Sequence, residues 1–150
     1  GRFEGFRVIN RGSIHGIQPS MCALTQDGVV GIVTKVEPFT ANVATLYTAD
    51  CKIGAMIRRN RVRGRVHGSG SDLNPVPAMQ YIDLTDDVRN GDEIITSPES
   101  VFPPGIPIGR VTAVRTDGYY GKAPKFKPPC LHINWMNCSL YSAHKTLPKS

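Results

Sequence analysis

Long apolar runs are missing from this sequence: no segment reaches the roughly 18 consecutive apolar residues of a membrane-spanning helix, and no leader peptide opens it. Four cysteines, Cys22, Cys51, Cys130 and Cys138, are too few to staple 150 residues, and no Cys-x-x-Cys occurs. A Gly-x-Ser-x-Gly elbow and a Gly-Asp-Ser-Gly oxyanion loop are absent, which removes the usual settings of a nucleophilic serine. No Gly-Lys-Ser/Thr follows a strand into a helix, so a phosphate loop is excluded. Acidic residues are also scarce, 12 against 18 Lys and Arg, leaving a net charge of +6 and a pI near 9.4. Such a balance favours acidic partners or anionic surfaces through long-range attraction and says nothing about fold.

What the chain does have is Gly 15 and Pro 12 with only 20% charged residues. Turns need positive or fixed φ, whereas helix interiors reject both residues, so this is the composition of a turn-rich β protein. A compact chain of this length buries about 68–70% of its extended surface, enough for a core. Gly1 in place of an initiator Met suggests an excised fragment, with any anchor outside the sequence.

The chain is organised around an internal repeat. Ile17–Thr25 repeats the spacing of Val88–Thr96 at a constant offset of 71, each with an apolar start, a turn pair (Pro19-Ser20, Asn90-Gly91) and an apolar-apolar-Thr end. Beyond that the offset becomes 78, since Gly31–Val36 matches Gly109–Val114, so the second unit carries seven extra loop residues. Two similar β hairpins are expected, and the fold class is all-β with two small barrel-like subdomains, residues 1–72 and 73–150, with room for an exchange of strands between the two near the termini. Gly91 and Gly105 belong to turns. Gly31 and Gly109 are expected at matching strand starts, where a side chain would clash with neighbouring backbone.

In order, Phe6–Asn10 reads as a strand closed by Arg11-Gly12-Ser13, and Asp27-Gly28 joins Met21–Thr25 to Val29–Val36 as a hairpin. Asn42–Thr48, Lys52–Arg58 and Met79–Leu84 are further strands, Gly68–Pro77 is a linker, and one closing strand is expected around Cys138–Tyr141. No stretch supports a long helix.

Between Arg58 and His67, a period of two would project Arg59, Arg61, Arg63 and Arg65 from one strand face. That ridge is either a partner-binding surface able to fork onto carboxylates or phosphates, or a solvated edge whose like charges discourage aggregation. Aromatic interleaving of the kind a single-strand nucleic-acid binder uses is absent there. The seven-residue excess places Val101 and Phe102 on a proline-flanked loop, Phe102 serving either as an interface anchor or as a cap on its own barrel. Ser69 and Ser71, near Asp72, His67 and His15, offer hydrolase residue types in a linker setting, and Cys130, His132, Cys138 and His144 match no zinc spacing. No catalytic residue, metal site or cofactor is assigned.

Five segments carry a family resemblance: Asn10–Ser13 with Gly16, Asp27–Val33, Arg63–Gly68, Val88 with Gly91–Ser97, and above all Val101–Val111. In these the chain resembles the extracytoplasmic β-domain of the bacterial rod-shape-determining MreC family, over roughly Val8–Val114. It departs at Pro98, where the family usually has Gly after Thr-Ser, and in the tail after Arg115. The resemblance implies a non-enzymatic scaffold of the cell-elongation machinery, two β-barrels outside the inner membrane, and an anchoring segment absent from this chain. Implied partners are a class B penicillin-binding transpeptidase, MreD, RodA and further copies, with no nucleic acid. A protease-like double barrel and a basic oligonucleotide-binding barrel are the alternatives from other classes.

Overall fold

Two twisted sheets account for every strand in the computed structural model, which describes residues 5–68, 77–117, 121–128 and 138–141. The strands are β1 (Phe6–Ile9), β2 (Cys22–Thr25), β3 (Gly28–Val36), β4 (Ala41–Thr45), β5 (Ile53–Ile57), β6 (Arg63–His67), β7 (Ala78–Gln80), β8 (Glu93–Thr96), β9 (Pro107–Asp117), β10 (Gly121–Lys127) and β11 (Ser139–Tyr141). A five-stranded antiparallel sheet runs β1-β4-β3-β2-β11, and the order β10-β7-β6-β5-β8-β9 closes on itself as a six-stranded barrel. The all-β reading holds, and the helical content of the described residues is one 3-10 turn, Ser13–His15. Sheet membership does not follow a division at residue 72: β5 and β6 belong to the barrel, and β11 returns to the first sheet beside β2.

The repeat is real at the level of single hydrogen bonds. In the first hairpin Cys22 faces Ile32, Ala23 faces Gly31 and Leu24 faces Val29, with a bulge between Ala23 and Leu24. In the second, Glu93 faces Arg110, Ile94 faces Gly109 and Ile95 faces Pro107, the bulge falling between Ile94 and Ile95. These are the same pairs under the two offsets. The entry turns agree as well: Ser20 N donates to Val33 O (2.8 Å) and Val33 N to Met21 O (2.9 Å), while Gly91 N donates to Val111 O (2.8 Å) and Val111 N to Asp92 O (2.9 Å). Ser20 and Gly91 both have positive φ, 71 and 87.

Both faces of the β2–β3 hairpin are covered. Cys22, Leu24 and Val29 join Ile53, Ile57, Met79, Ile94, Ile108 and Phe126 in one core shared by sheet and barrel. Ala23, Val30, Val33, Ala41, Val43 and Cys138 form a second cluster on the other face. This double burial is why the segment reads as a near-continuous apolar run and not as an alternation.

One barrel strand, β10, is hidden in the sequence as a glycine, lysine and proline loop. Its ladder to β7 is short, Lys125 against Ala78, with Ile82 against Lys122 beyond it. Pro124 sits between those two points, opposite the break in β7 marked by Tyr81 at φ 67. A missing N–H costs no regular ladder bond there. Phe126, 1% exposed, supplies the apolar residue that holds the strand.

Gly31 and Gly109 lie inside β3 and β9 and not at their starts. The expected clash is nevertheless there: a Cβ on Gly31 would stand 2.0 Å from Ala44 O, and one on Gly109 2.6 Å from Lys127 O and 2.7 Å from Phe126 Cδ2. Gly91 and Gly105 instead have open space around them and serve through φ, 87 at each. We expect Gly109→Val to cost about 3 kcal/mol or more by overpacking, read as a melting temperature lower by roughly 6–12 °C. A melting temperature unchanged from wild type would contradict the close approach.

Candidate functional site

The four arginines do not form a ridge. Arg59 and Arg61 fall in the turn joining β5 to β6, where Asn60 Oδ1 accepts from Val62 N (3.3 Å) and Arg61 takes φ 63. Only Arg63 and Arg65 stand on β6. Because a turn has no two-residue alternation, the strand-face argument fails for half the set.

Three of the four are also committed within the chain. Arg59 forks onto Asp92, Nε to Oδ1 and Nη2 to Oδ2, both 2.9 Å, and its Nη1 reaches Asp87 Oδ2 at 3.0 Å. Arg89 closes the node, its Nε donating to Asp87 Oδ1 (3.1 Å) and its backbone N to Asp92 Oδ2 (2.8 Å). Asn60 Nδ2 adds a bond to Asp87 O at 2.7 Å. Arg63 pairs with Glu99. Arg65 lies 5.0 Å above the Tyr81 ring and donates to its hydroxyl at 3.0 Å. Of the four, Arg61 has neither an ion pair nor a side-chain contact of this kind among the described residues. The node therefore clips the β5–β6 turn to the Asp87–Asp92 turn that opens the second repeat. Sequence reading missed Asp87, Arg89 and Asp92 because no local spacing links residues so far apart.

Val101 and Phe102 are not an exposed anchor. Thr96 Oγ1 donates to Pro103 O (2.6 Å) and accepts from Ile106 N (2.8 Å), and Gly105 N donates to Thr96 O (2.9 Å). These bonds fold the proline loop back over the barrel mouth. Phe102 is 2% exposed in the shared core, its N bonded to Ser100 Oγ at 3.0 Å, and Val101 O accepts from Cys22 Sγ of the first sheet at 3.5 Å. A large aromatic side chain gains more by leaving water here than by waiting for a partner. The loop acts as a plug between sheet and barrel.

Of the weaker candidates, His15 Nδ1 accepts from Gly12 N (3.0 Å) and closes the 3-10 turn. His67 Nδ1 lies 2.8 Å from Gly68 O. Ser69, Ser71, Cys130, His132 and His144 lie outside the described residues. Among the described residues no three His, Cys, Asp or Glu side chains are placed to share a metal ion. Burial raises the thiols, Cys22 to about 11 and Cys51 to about 12, so both are held as unreactive SH groups.

A concave surface does exist elsewhere, across β8, β9 and β10. It is lined by Glu93, Pro107, Gly109, Arg110, Thr112, Lys127 and Pro128. None of these was singled out from sequence except Gly109, and that for its backbone.

Two measurements check this geometry. The Arg59 guanidinium holds the Asp92 carboxyl below its ordinary value of 3.8, and Arg89 and Arg59 do the same for Asp87. A depressed carboxyl contributes stability that is complete above its unfolded value and is lost as pH falls through the folded one. Stability should thus decline from about pH 4 downward, and Asp92→Asn should flatten that decline while lowering stability at pH 7, both read by thermal melts across pH. Separately, Phe102→Ala should cost about 3–5 kcal/mol, whereas an interface role would leave melting unchanged.

Residues 1–128 match the family model described as rod shape-determining protein MreC, barrel core. The cell shape-determining protein MreC of Escherichia coli K12 is 30% identical over 113 residues, covering 73% of this chain and 30% of that protein, so the chain spans about a third of the length of such relatives. The crystal structure of MreC from Pseudomonas aeruginosa superposes with a TM-score of 0.74 at 28% identity, over 85% of this chain and 82% of that one. MreC from Helicobacter pylori, solved in complex with penicillin-binding protein PBP2, superposes with a TM-score of 0.70 at 20% identity over 83% and 78% of the two chains, a likeness of fold. The match over most of the sequence, the duplicated hairpins and the closed barrel lead to one conclusion: this chain belongs to the MreC family of rod shape-determining proteins.

Proposed function

We propose that this chain is the contact-making core of a longer cell-shape protein, a non-enzymatic scaffold that organises peptidoglycan synthesis in the elongation machinery. The observation that carries the reading is the family match over residues 1–128. The internal arrangement supports it. Arg59, the histidines at 15 and 67 and the threonine hydroxyl at 96 are occupied in holding turns and loops, which suits a rigid binding body. Its place is the extracytoplasmic face of the bacterial inner membrane, the periplasm in a two-membrane cell, with anchoring through a segment outside this chain. The first partner is a class B penicillin-binding transpeptidase, by analogy with the Helicobacter pylori complex. MreD, RodA and further copies of the protein complete the partner set.

The test is a pull-down with the membrane-anchored full-length protein, combined with a serine-reactive probe on this chain. Capture of the transpeptidase with no labelling is the expected result. Stoichiometric labelling of Ser69 or Ser71 would sink the scaffold reading in favour of a protease-like barrel, and salt-sensitive capture of nucleic acid without the transpeptidase would favour the oligonucleotide-binding one.

A further inference from the structure

The groove over β8, β9 and β10 carries an electrostatic imbalance. Its central strand places Arg110 in register with Glu93 on one side and with Lys127 on the other. Glu93 is not free to neutralise both, since Arg58 Nε holds its Oε2 at 2.9 Å. Arg110 Nη1 reaches only the carbonyl of Gly91, at 3.2 Å, and Lys127 has no ion-pair partner among the described residues. Both side chains are exposed. Two cations directly opposite on neighbouring strands oppose the pairing of those strands, and an anion set between them reverses the sign of that term. The sequence after Asp117 has no Asp or Glu to provide one.

We propose that this groove docks an acidic, extended segment of a protein partner, with a carboxylate seated between Arg110 and Lys127. The proposal rests on the reading of the chain as a protein-contact scaffold and gives that reading a place. Several features select the occupant. The barrel is closed, so β8–β10 have no free edge for an added strand and recognition must come through side chains. Pro107 and Pro128 give the groove stiff apolar flanks suited to peptide side chains. Glu93, 28% exposed at its rim, opposes a polyanion with closely spaced phosphates but tolerates a peptide bearing isolated carboxylates.

The experiment is a titration of the 150-residue chain with a capped hexaglutamate peptide, followed by amide proton–nitrogen shifts, with capped hexaglutamine and a short single-stranded DNA run alongside. Saturating shifts at Gly109, Arg110, Thr112 and Lys127 are expected with hexaglutamate only. Arg110→Glu should weaken binding about ten-fold or more, whereas Arg61→Glu, an identical change in net charge at an arginine without an ion-pair partner among the described residues, should leave it unaltered. Lys127→Gln, at an exposed strand end, gives a second reading in a variant whose melting temperature should match or exceed wild type. Equal losses in Arg61→Glu and Arg110→Glu, shifts centred away from the groove, or tighter binding of the DNA would overturn the proposal. Transpeptidase capture that persists in Arg110→Glu would overturn the groove while leaving the scaffold function standing.

Discussion

Everything in this molecule leans on a hairpin buried on both faces. With Cys22 and Leu24 turned to the barrel core and Ala23 and Val33 to the opposite cluster, β2 and the first part of β3, up to Val33, have no solvated side. A slip of one residue would exchange side chains of different size between two packed layers. The bulge between Ala23 and Leu24, repeated between Ile94 and Ile95, locks the register in both units. Glycine at 31 and 109 then lets the next strand come close enough to complete each layer, where a Cβ would meet its backbone.

Sharing one core between sheet and barrel dictates how the longer second unit is used. Its extra residues do not form an external finger but fold back through Thr96, bury Phe102 and bring Val101 O against Cys22. The duplication thereby acquires an asymmetry: the first hairpin ends in a tight Gln26-Asp27 turn, the second in a plug. Gly28, at φ 131, lies so close to Pro107 that a Cβ would stand 2.2 Å from its carbonyl, so the two repeats touch at their turns.

Charge follows the same economy of position. An excess of arginine on a small β protein need not mark a binding surface when carboxylates distant in sequence are brought to it. Asp87, Asp92 and Glu99 take up Arg59 and Arg63. Among the described residues, Arg110 and Lys127 on the barrel flank face each other in register without an ion-pair partner. A closed barrel has no main-chain edge to offer, so its flank presents side chains alone.

Much of this was legible in the residues alone. The hairpins, the duplication and its two offsets, and the glycines that close approach demands follow from local chemistry: turn residues with special φ, β-branched runs, and spacing that survives copying. What only tertiary structure decided are the relations between distant segments. Arg59 is a clip because Asp92 arrives beside it, Phe102 is core because Thr96 turns its loop inward, and β10 is a strand because the barrel needs a sixth member to close. Each depends on which surfaces meet. A local pattern specifies a strand or a turn, whereas burial and ion pairing are properties of two segments at once, settled only when the sheets pack.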